Sequence, residues 1–503
     1  MQGGLQRELQ QVLQQVLQQV LQQSLRQTPE ILMVAVQSCR RILLVGFGCI
    51  GQALTPLIRT LPALNQAHIN AMSTTTDGLP IAAQYGIVHH VMPINSDNMD
   101  AVLSCYLTAG DLLINVSVDV SSLALIEWCG QRGVLYIDTC IEPWAGGYQL
   151  SDERSSNAFL RAEVLALKKN HRGVGTPTAV IAHGANPGLV SHFVKAGLLE
   201  LAAIKHVPIP SAQSAHSVFS LLAHTLNIKV IQIAEQDTQR EAAEAKAALE
   251  SHIEPLGQID GEVQPEAFYN TWSVDGFLSE AYQRAELGWG THEQIIPKDG
   301  RLVSYDETPS LILNQHSACV RVQSWVPTTG VQSAYLITHH ESLSIAAYFN
   351  QEAMSYRPTV YYAYHPCAAT QDSLRHWCSD DFKPPQQKIL LRDTLSDGAD
   401  TLGVWLISPD DSYWYGSHLT LNQARAIAPF NSATSLQVVA GILGAIDWML
   451  AHPDAGIVEA EEMDHEAVLQ IATPYLGQII EIQPSWHPDT SGALQFADFR
   501  IAP

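Results

Sequence analysis

The stretch RILLVGFGCIGQAL, residues 41–54, decides the fold. An apolar run ends in Gly46, and glycines recur at 48 and 51 just as a helix-compatible segment begins. The order is therefore strand, G-x-G-x-x-G, helix. Gly46 permits the tight turn, Gly48 lets the backbone approach a pyrophosphate, and Gly51 lets helix and strand pack closely. A phosphate placed there meets the positive end of a helix dipole. The pattern predicts a dinucleotide site built on Gly46, Gly48, Cys49, Ile50 and Gly51.

Outward from this loop the pattern repeats. HINAM, GIVHHVM, DLLINVSV, VLYIDT and TAVIAHGA are short apolar runs, with helix-like segments around 50–60, 98–109, 121–132 and 152–170. Strand-helix alternation of this length predicts an α/β domain with a Rossmann-type doubly wound parallel sheet over residues 33–204. The second strand runs into Ser73-Thr74-Thr75-Thr76, with Asp77 the first acid, where a ribose-binding acid is expected. No arginine stands nearby to hold a 2′-phosphate, so NAD is favoured over NADP.

Beyond residue 205 the alternation stops. QDTQREAAEAKAALE reads as a polar helix. ACVRVQSWV, SAYLITHHESLSIAAYF, TVYYAYHPC and LGVWLIS read as strands of a mainly antiparallel sheet, predicting a second, α+β domain over 205–425. Residues 426–503 are expected to form C-terminal helices and a tail, with the apolar helix 432–450 returning to the dinucleotide domain. Residues 1–32 are a Gln-rich extension whose leucines recur every fourth position, so its apolar stripe winds around a helix. It reads as a helical or disordered appendage, and Met33 is an alternative start.

Composition limits the partners. Lys+Arg number 27 against 50 Asp+Glu, a net charge of −23, which repels phosphate backbones and suits cations. Eight cysteines without a CxxC read as reduced, buried thiols of a cytoplasmic protein. No HExxH or paired-cysteine pattern predicts a metal site. No apolar run of about 18 residues is evident, so no membrane span is expected, and the start lacks the order of a signal peptide.

Candidate site residues lie at strand ends. Asn186, in HGANPGLVSHF, stands where an α/β sheet binds ligands, and equally where a helix N-cap would precede Pro187. Glu142 follows VLYIDT in a Pro- and Gly-containing loop. Asp119 follows DLLINVSV and suits either a ligand or the cap of SSLALIEW. Within THHESLSI, strand alternation places His339 and Glu341 on one face and His340 on the other, either as an internal hydrogen bond or as a proton shuttle. Residues 270–293, NTWSVDGFLSEAYQRAELGWGTHE, combine Trp272, Phe277 and Trp289 with Asp275, Glu280, Glu286 and one arginine, Arg284. Indole faces beside carboxylates suit a flexible cation.

The strings VGFGCIGQALTPLI, NVSVDVSSL, YIDTCIEPW, GANPGLVSHFVKAGL, IAEQDTQR, NTWSVDGFLSE, AELGWGTHE, THHESLSIA, YRPTVYYAYHPC, IAPFNSATSLQV and AGIVEAEEMD, in order over roughly residues 40–480, resemble the bacterial homospermidine synthases. The resemblance implies aminobutyl transfer between two putrescines, or from spermidine to putrescine, through imines, with NAD returning the hydride it takes and ammonia released. It places an ammonium or iminium on the face of Trp272, worth roughly 0.5–2 kcal/mol. It assigns Glu235 and Glu280 to the other end of the amine, Glu142 and Asn186 nearer the nicotinamide, and His339 to the same site. It extends the cofactor contacts to Ser117, Asp119, Thr139, Asn186 and Pro187. Glu142, Glu235 and His339 all stay open as the proton acceptor, and Asp275 and Glu286 read as surface or structural. The resemblance also assigns substrate binding and dimerisation to the domain over 205–425, so a homodimer is expected. The runner-up is a saccharopine- or carboxynorspermidine-forming dehydrogenase, which should present arginines to carboxylate substrates; the quoted strings offer Arg240 and few others. A non-catalytic NAD-binding regulator should lack Asn186, Glu235 and His339.

Overall fold

Strands β1 (Arg41–Val45), β2 (His68–Ser73), β3 (Val88–Val91), β4 (Leu112–Asn115), β5 (Leu135–Asp138) and β6 (Ala179–Ile181) form a parallel sheet in the order 6-5-4-1-2-3. The computed structural model describes residues 41–502 apart from 150–152, 171–174, 213, 243–254, 260–261, 266, 307 and 489–492. The Gln-rich extension therefore lies outside the described residues. Strands β4, β5 and β6 are buried throughout, as central parallel strands covered on both faces must be. Helices α1 (Cys49–Leu54), α2 (Ser122–Arg132) and α3 (Asn157–Asn170) return the chain between strands. The order reverses between β1 and β4, which opens a crevice at their carboxyl ends.

Ser121, not Asp119, caps α2, its hydroxyl accepting from the Ala124 amide. Asp119 is exposed and has positive φ, so it cannot serve as that cap. Helix α4 (Leu189–Ile204) begins after Gly188, so Asn186 and Pro187 precede it and the N-cap alternative for Asn186 fails.

The second sheet is built on β7 (Val230–Asp237), after which come α5 (Val274–Tyr282), β8 (Arg284–Gly288), β9 (Ser310–His316), β10 (Arg321–Val326) and β11 (Gly330–Ile337). Then follow α6 (Glu341–Tyr348), β12 (Thr359–His365), α7 (Ala368–Ser379), β13 (Ala399–Ile407) and β14 (Ser412–Thr420). With Gly300–Val303 and Gln478–Ile482 it has ten strands, mainly antiparallel; β7 and β12 pair in parallel at its centre. Residues 236 and 237 end β7 and Arg240–Glu241 form a short strand, so the polar helix expected from 236 does not start there; most of that segment lies outside the described residues.

The expected strand through THHESLSI is also corrected. β11 stops at Ile337 and α6 starts at Glu341, with both histidines in the turn between. Every residue of α6 up to Ala346 is buried, so no polar face marked it as a helix in the sequence.

Helix α8 (Ala433–Ala451) opens on a capping box between Ser432 and Ser435. Its Leu436, Val439, Ile442, Leu443 and Ile446 share a core with Ile42, Leu44 and Ile114 of the parallel sheet. The following strand, Ile457–Glu459, adds to the β6 edge. Helix α8 does reach the length and apolarity of a membrane span, contrary to the expectation that no stretch would; it is 89% buried inside the protein.

Candidate active site

At the carboxyl edge of the parallel sheet, Gly46 has φ +93, and a Cβ there would stand 2.5 Å from the Val116 carbonyl. A Cβ on Gly51 would stand 2.5 Å from the Gly46 carbonyl, so this glycine lets α1 close onto the loop. Gly48 differs: it is exposed, and a Cβ would meet nothing within 4 Å. The loop is thus tight behind and open in front, the shape a pyrophosphate needs. Cys49 and Ile50 continue into α1. Ser117 lies beyond β4, its hydroxyl on Asn115 Oδ1 at 2.5 Å. Thr139 follows β5, and Asn186 and Pro187 follow β6, so the expected cofactor contacts share one edge of one sheet. At the second strand end Ser73 Oγ engages His89 Nε2 at 2.8 Å and the Thr75 carbonyl, while Asp77 is exposed.

The sequence did not single out Arg392. From the other side of the crevice its Nη1 donates to Gln52 Oε1 of α1 at 2.8 Å, which brings a guanidinium to the glycine loop. No local motif marks it.

Across the crevice the acids converge. Asn186 Nδ2 donates to Glu235 Oε2 at 2.9 Å, and the Tyr362 hydroxyl donates to the same oxygen at 2.6 Å. The Tyr362 ring lies 4.7 Å from that of His339. His339 Nε2 is 2.8 Å from Glu280 Oε2 on α5, within ion-pair range although the N–H is not aimed squarely at that oxygen. His339 Nδ1 faces Glu341 Oε1 at 3.3 Å. Burial pushes the imidazole toward neutrality, but Glu280 and Glu341 outweigh it and hold the pKa well above the ordinary value. Trp272, half-buried, meets Phe277 edge to face, Phe277 meets Tyr364, and Tyr364 stacks on Tyr362. Trp272 thus belongs to the same wall as Glu235 and His339.

Glu142 is buried and accepts from the Asp119 amide at 3.4 Å. Burial, then the neighbouring Glu280 and Asp119, push its pKa up to about 8. Burial lifts Glu235 to about 7, with Asp237 adding to the effect. Asp237 on β7 and Asp400 on β13 stand on paired residues beside it, and both are raised by burial first. Neither acid was foreseen in the sequence. Glu280 has His339 as its basic partner, whereas among the described residues none of Glu142, Glu235, Asp237 or Asp400 pairs with a lysine, arginine or histidine. A buried carboxylate without a counter-charge costs several kcal/mol, so these groups either keep protons or take a cation.

Asp275 is exposed and paired with Lys388, and Glu286 is buried, accepting from the amides of Asn157 and Ala158 that open α3. Arg240 pairs with Asp397 at the surface.

A doubly wound sheet with a glycine loop, facing an acid- and aromatic-lined crevice on a second sheet, defines a dinucleotide-dependent enzyme of the saccharopine dehydrogenase architecture. Two family models agree: the saccharopine dehydrogenase NADP binding domain matches residues 42–180 and the saccharopine dehydrogenase C-terminal domain residues 184–482. The chain is 37% identical to a homospermidine synthase of Mesorhizobium japonicum, covering 89% of this chain and 91% of that one. It is 39% identical to that of Blastochloris viridis, covering 89% and 92%. Among solved structures it resembles the homospermidine synthase of Legionella pneumophila in complex with NAD (39% identity, TM-score 0.79), covering 92% of this chain and 98% of that one. The chain belongs to the homospermidine synthase family.

Proposed function

We propose that this chain passes the aminobutyl group of one putrescine, or of spermidine, to the amine of a second putrescine, forming homospermidine and releasing the leaving amine, with NAD as cofactor. The observation that carries the reading is the set of buried carboxyls Glu142, Glu235, Asp237 and Asp400, which among the described residues have no basic partner, beside an open dinucleotide loop. An amine cation supplies the missing counter-charge. A carboxylate substrate would meet like charge, which disfavours the saccharopine-type alternative.

Bound NAD supplies reversible hydride storage. The residues of the chain do the rest. Gly46, Gly48, Cys49, Ile50 and Gly51 would hold the pyrophosphate, and Ser117, Asp119, Thr139, Asn186 and Pro187 would line the nicotinamide side. Trp272 offers a ring face to an ammonium or iminium. Glu235, fixed by Asn186 and Tyr362, anchors one amine. His339 sits between Glu280 and Glu341, which raise its affinity for a proton, so in this reading it orients Glu280. Glu142 is the acceptor in this reading: burial holds its pKa at about 8, well above the ordinary carboxylate range and nearer that of an ammonium. The aromatic wall keeps water from the imine.

The division of labour follows the two sheets, with residues 33–204 binding NAD, 205–425 binding amine and forming a homodimer, and 426–503 bracing both. The dimer and a cytoplasmic location rest on the family resemblance and on the free thiols. The net charge of −23 supports cationic partners and disfavours nucleic acid.

Purified enzyme given putrescine and trace NAD should form many homospermidines per NAD with no rise in NADH absorbance. Stoichiometric NADH release would refute the internal hydride return.

A further inference from the structure

The described cysteines are free, and not all are buried as the sequence suggested: Cys105 and Cys319 are exposed. Cys319 ends the 3₁₀ turn Ser317–Cys319, and Cys378 lies in the last turn of α7. Their sulfurs are 3.8 Å apart although 59 residues separate them in the chain. A disulfide needs about 2.05 Å, so an approach of a little under 2 Å would join them. Cys105 is also exposed, but among the described residues its thiol bonds only to the Ala101 carbonyl of its own helix.

We propose that Cys319 and Cys378 are a dithiol modification site, oxidised to an intramolecular disulfide by a low-molecular-weight disulfide of the glutathione type, and that closing this bond lowers turnover. The exposed Cys319 thiolate attacks the external disulfide, forming a mixed disulfide and expelling one thiol. Cys378 then attacks Cys319 Sγ, the protein disulfide forms, and the second external thiol leaves. Two protein thiols are oxidised and one external disulfide is reduced to two thiols. Cys319 is the exposed sulfur and makes the first attack; burial, and then Cys319 itself, push the Cys378 thiol up, so resolution is faster at higher pH.

The link to turnover is geometric. The Ser317 amide donates to the Gln283 carbonyl at 2.8 Å, and Gln283 is the C-cap of α5, the helix that carries Glu280. The Ser317 hydroxyl accepts from the Thr338 amide at 3.1 Å, and His339 follows Thr338. The turn that bears Cys319 therefore holds both halves of the Glu280–His339 pair. Drawing it toward α7 moves that pair.

The test uses the full-length, NAD-loaded enzyme and oxidised glutathione. The assay of the reduced enzyme comes first, because its failure would bear on the proposed function and not on the thiols; peptide mapping stands without any turnover. Mapping should find Cys319 joined to Cys378, while Cys105, with no second thiol at hand among the described residues, retains a glutathione adduct. Cys378→Ser should leave the adduct on Cys319. Turnover of the parent should fall about tenfold or more, as expected when a catalytic pair shifts by an ångström or so, and dithiothreitol should restore it. The Cys319→Ser, Cys378→Ser double variant should keep its activity through the treatment. Mixed disulfide on Cys319 without a cross-link, or a cross-link with unchanged turnover, would overturn the proposal.

Discussion

Asn186, on the loop after the parallel strand β6, donates to Glu235, on the central strand of the second sheet, across 2.9 Å. This one hydrogen bond joins the loop at the carboxyl edge of the parallel sheet to the acid- and aromatic-lined wall of the second sheet, and the Tyr362 hydroxyl donates to the same Glu235 oxygen.

Glu235→Gln should therefore separate charge from shape. The amide oxygen still accepts from Asn186 and Tyr362, but the counter-charge for an ammonium is gone. KM for putrescine should rise about ten- to hundredfold, the worth of a charge-assisted hydrogen bond. The melting temperature should hold or rise, since a buried unpaired carboxyl is removed. A KM within twofold of the parent enzyme's would show that Glu235 does not contact the amine.

The acids also set a pH dependence. Burial raises Glu142 from 4.5 to about 8 and Glu235 from 4.5 to about 7. Folded-state values above unfolded ones mean that the stabilisation is complete below about 4.5 and is lost as pH climbs through 7 and then 8. Amine-free protein should melt lower with each step across that window, and saturating putrescine should offset the loss. Calorimetry of Glu142→Gln should show the upper part of the decline flattened; an unchanged curve would mean that Glu142 titrates normally.

Trp272 is half-buried and meets Phe277 edge to face, at the end of the ring series that runs through Tyr364 to Tyr362. Trp272→Phe should keep partial activity through its weaker quadrupole, Trp272→Ala should lose more, and Trp272→Lys should abolish turnover by repelling the cation. Thermal melts distinguish this from lost packing. A Lys variant that folds, binds NAD and turns over near the parent rate would make Trp272 a packing residue.

The glycine loop predicts two unlike failures. A methyl on Gly48 meets nothing in the protein, whereas one on Gly51 meets the Gly46 carbonyl at 2.5 Å. Gly48→Ala should melt like the parent but bind NAD more weakly, measured by titration calorimetry. Gly51→Ala should lower the melting temperature first. Equal NAD affinity in Gly48→Ala would mean that the cofactor does not approach the loop there.

What the sequence alone determined was whatever short-range pattern encodes. The alternation of apolar runs and helices, the glycine spacing after β1, and Glu142 and Asn186 at strand ends are properties of a few consecutive residues, so the parallel sheet and its ligand edge were legible. Long strings placed Glu235, Glu280, Trp272 and His339 in a family, without saying what they touch. Tertiary structure decided the rest. Tyr362 sits in YYAY and looks like any core aromatic until β12 pairs with β7 and turns its hydroxyl onto Glu235. Asp400 meets Asp237 only through strand pairing, and Arg392 reaches α1 from 340 residues away. The turn at His339 was hidden because the helix after it, buried from Glu341 through Ala346, shows no polar face. The raised pKa values are the clearest case. They arise from desolvation, and how far a carboxyl is removed from water depends on what the whole chain packs around it, which no local stretch of sequence contains.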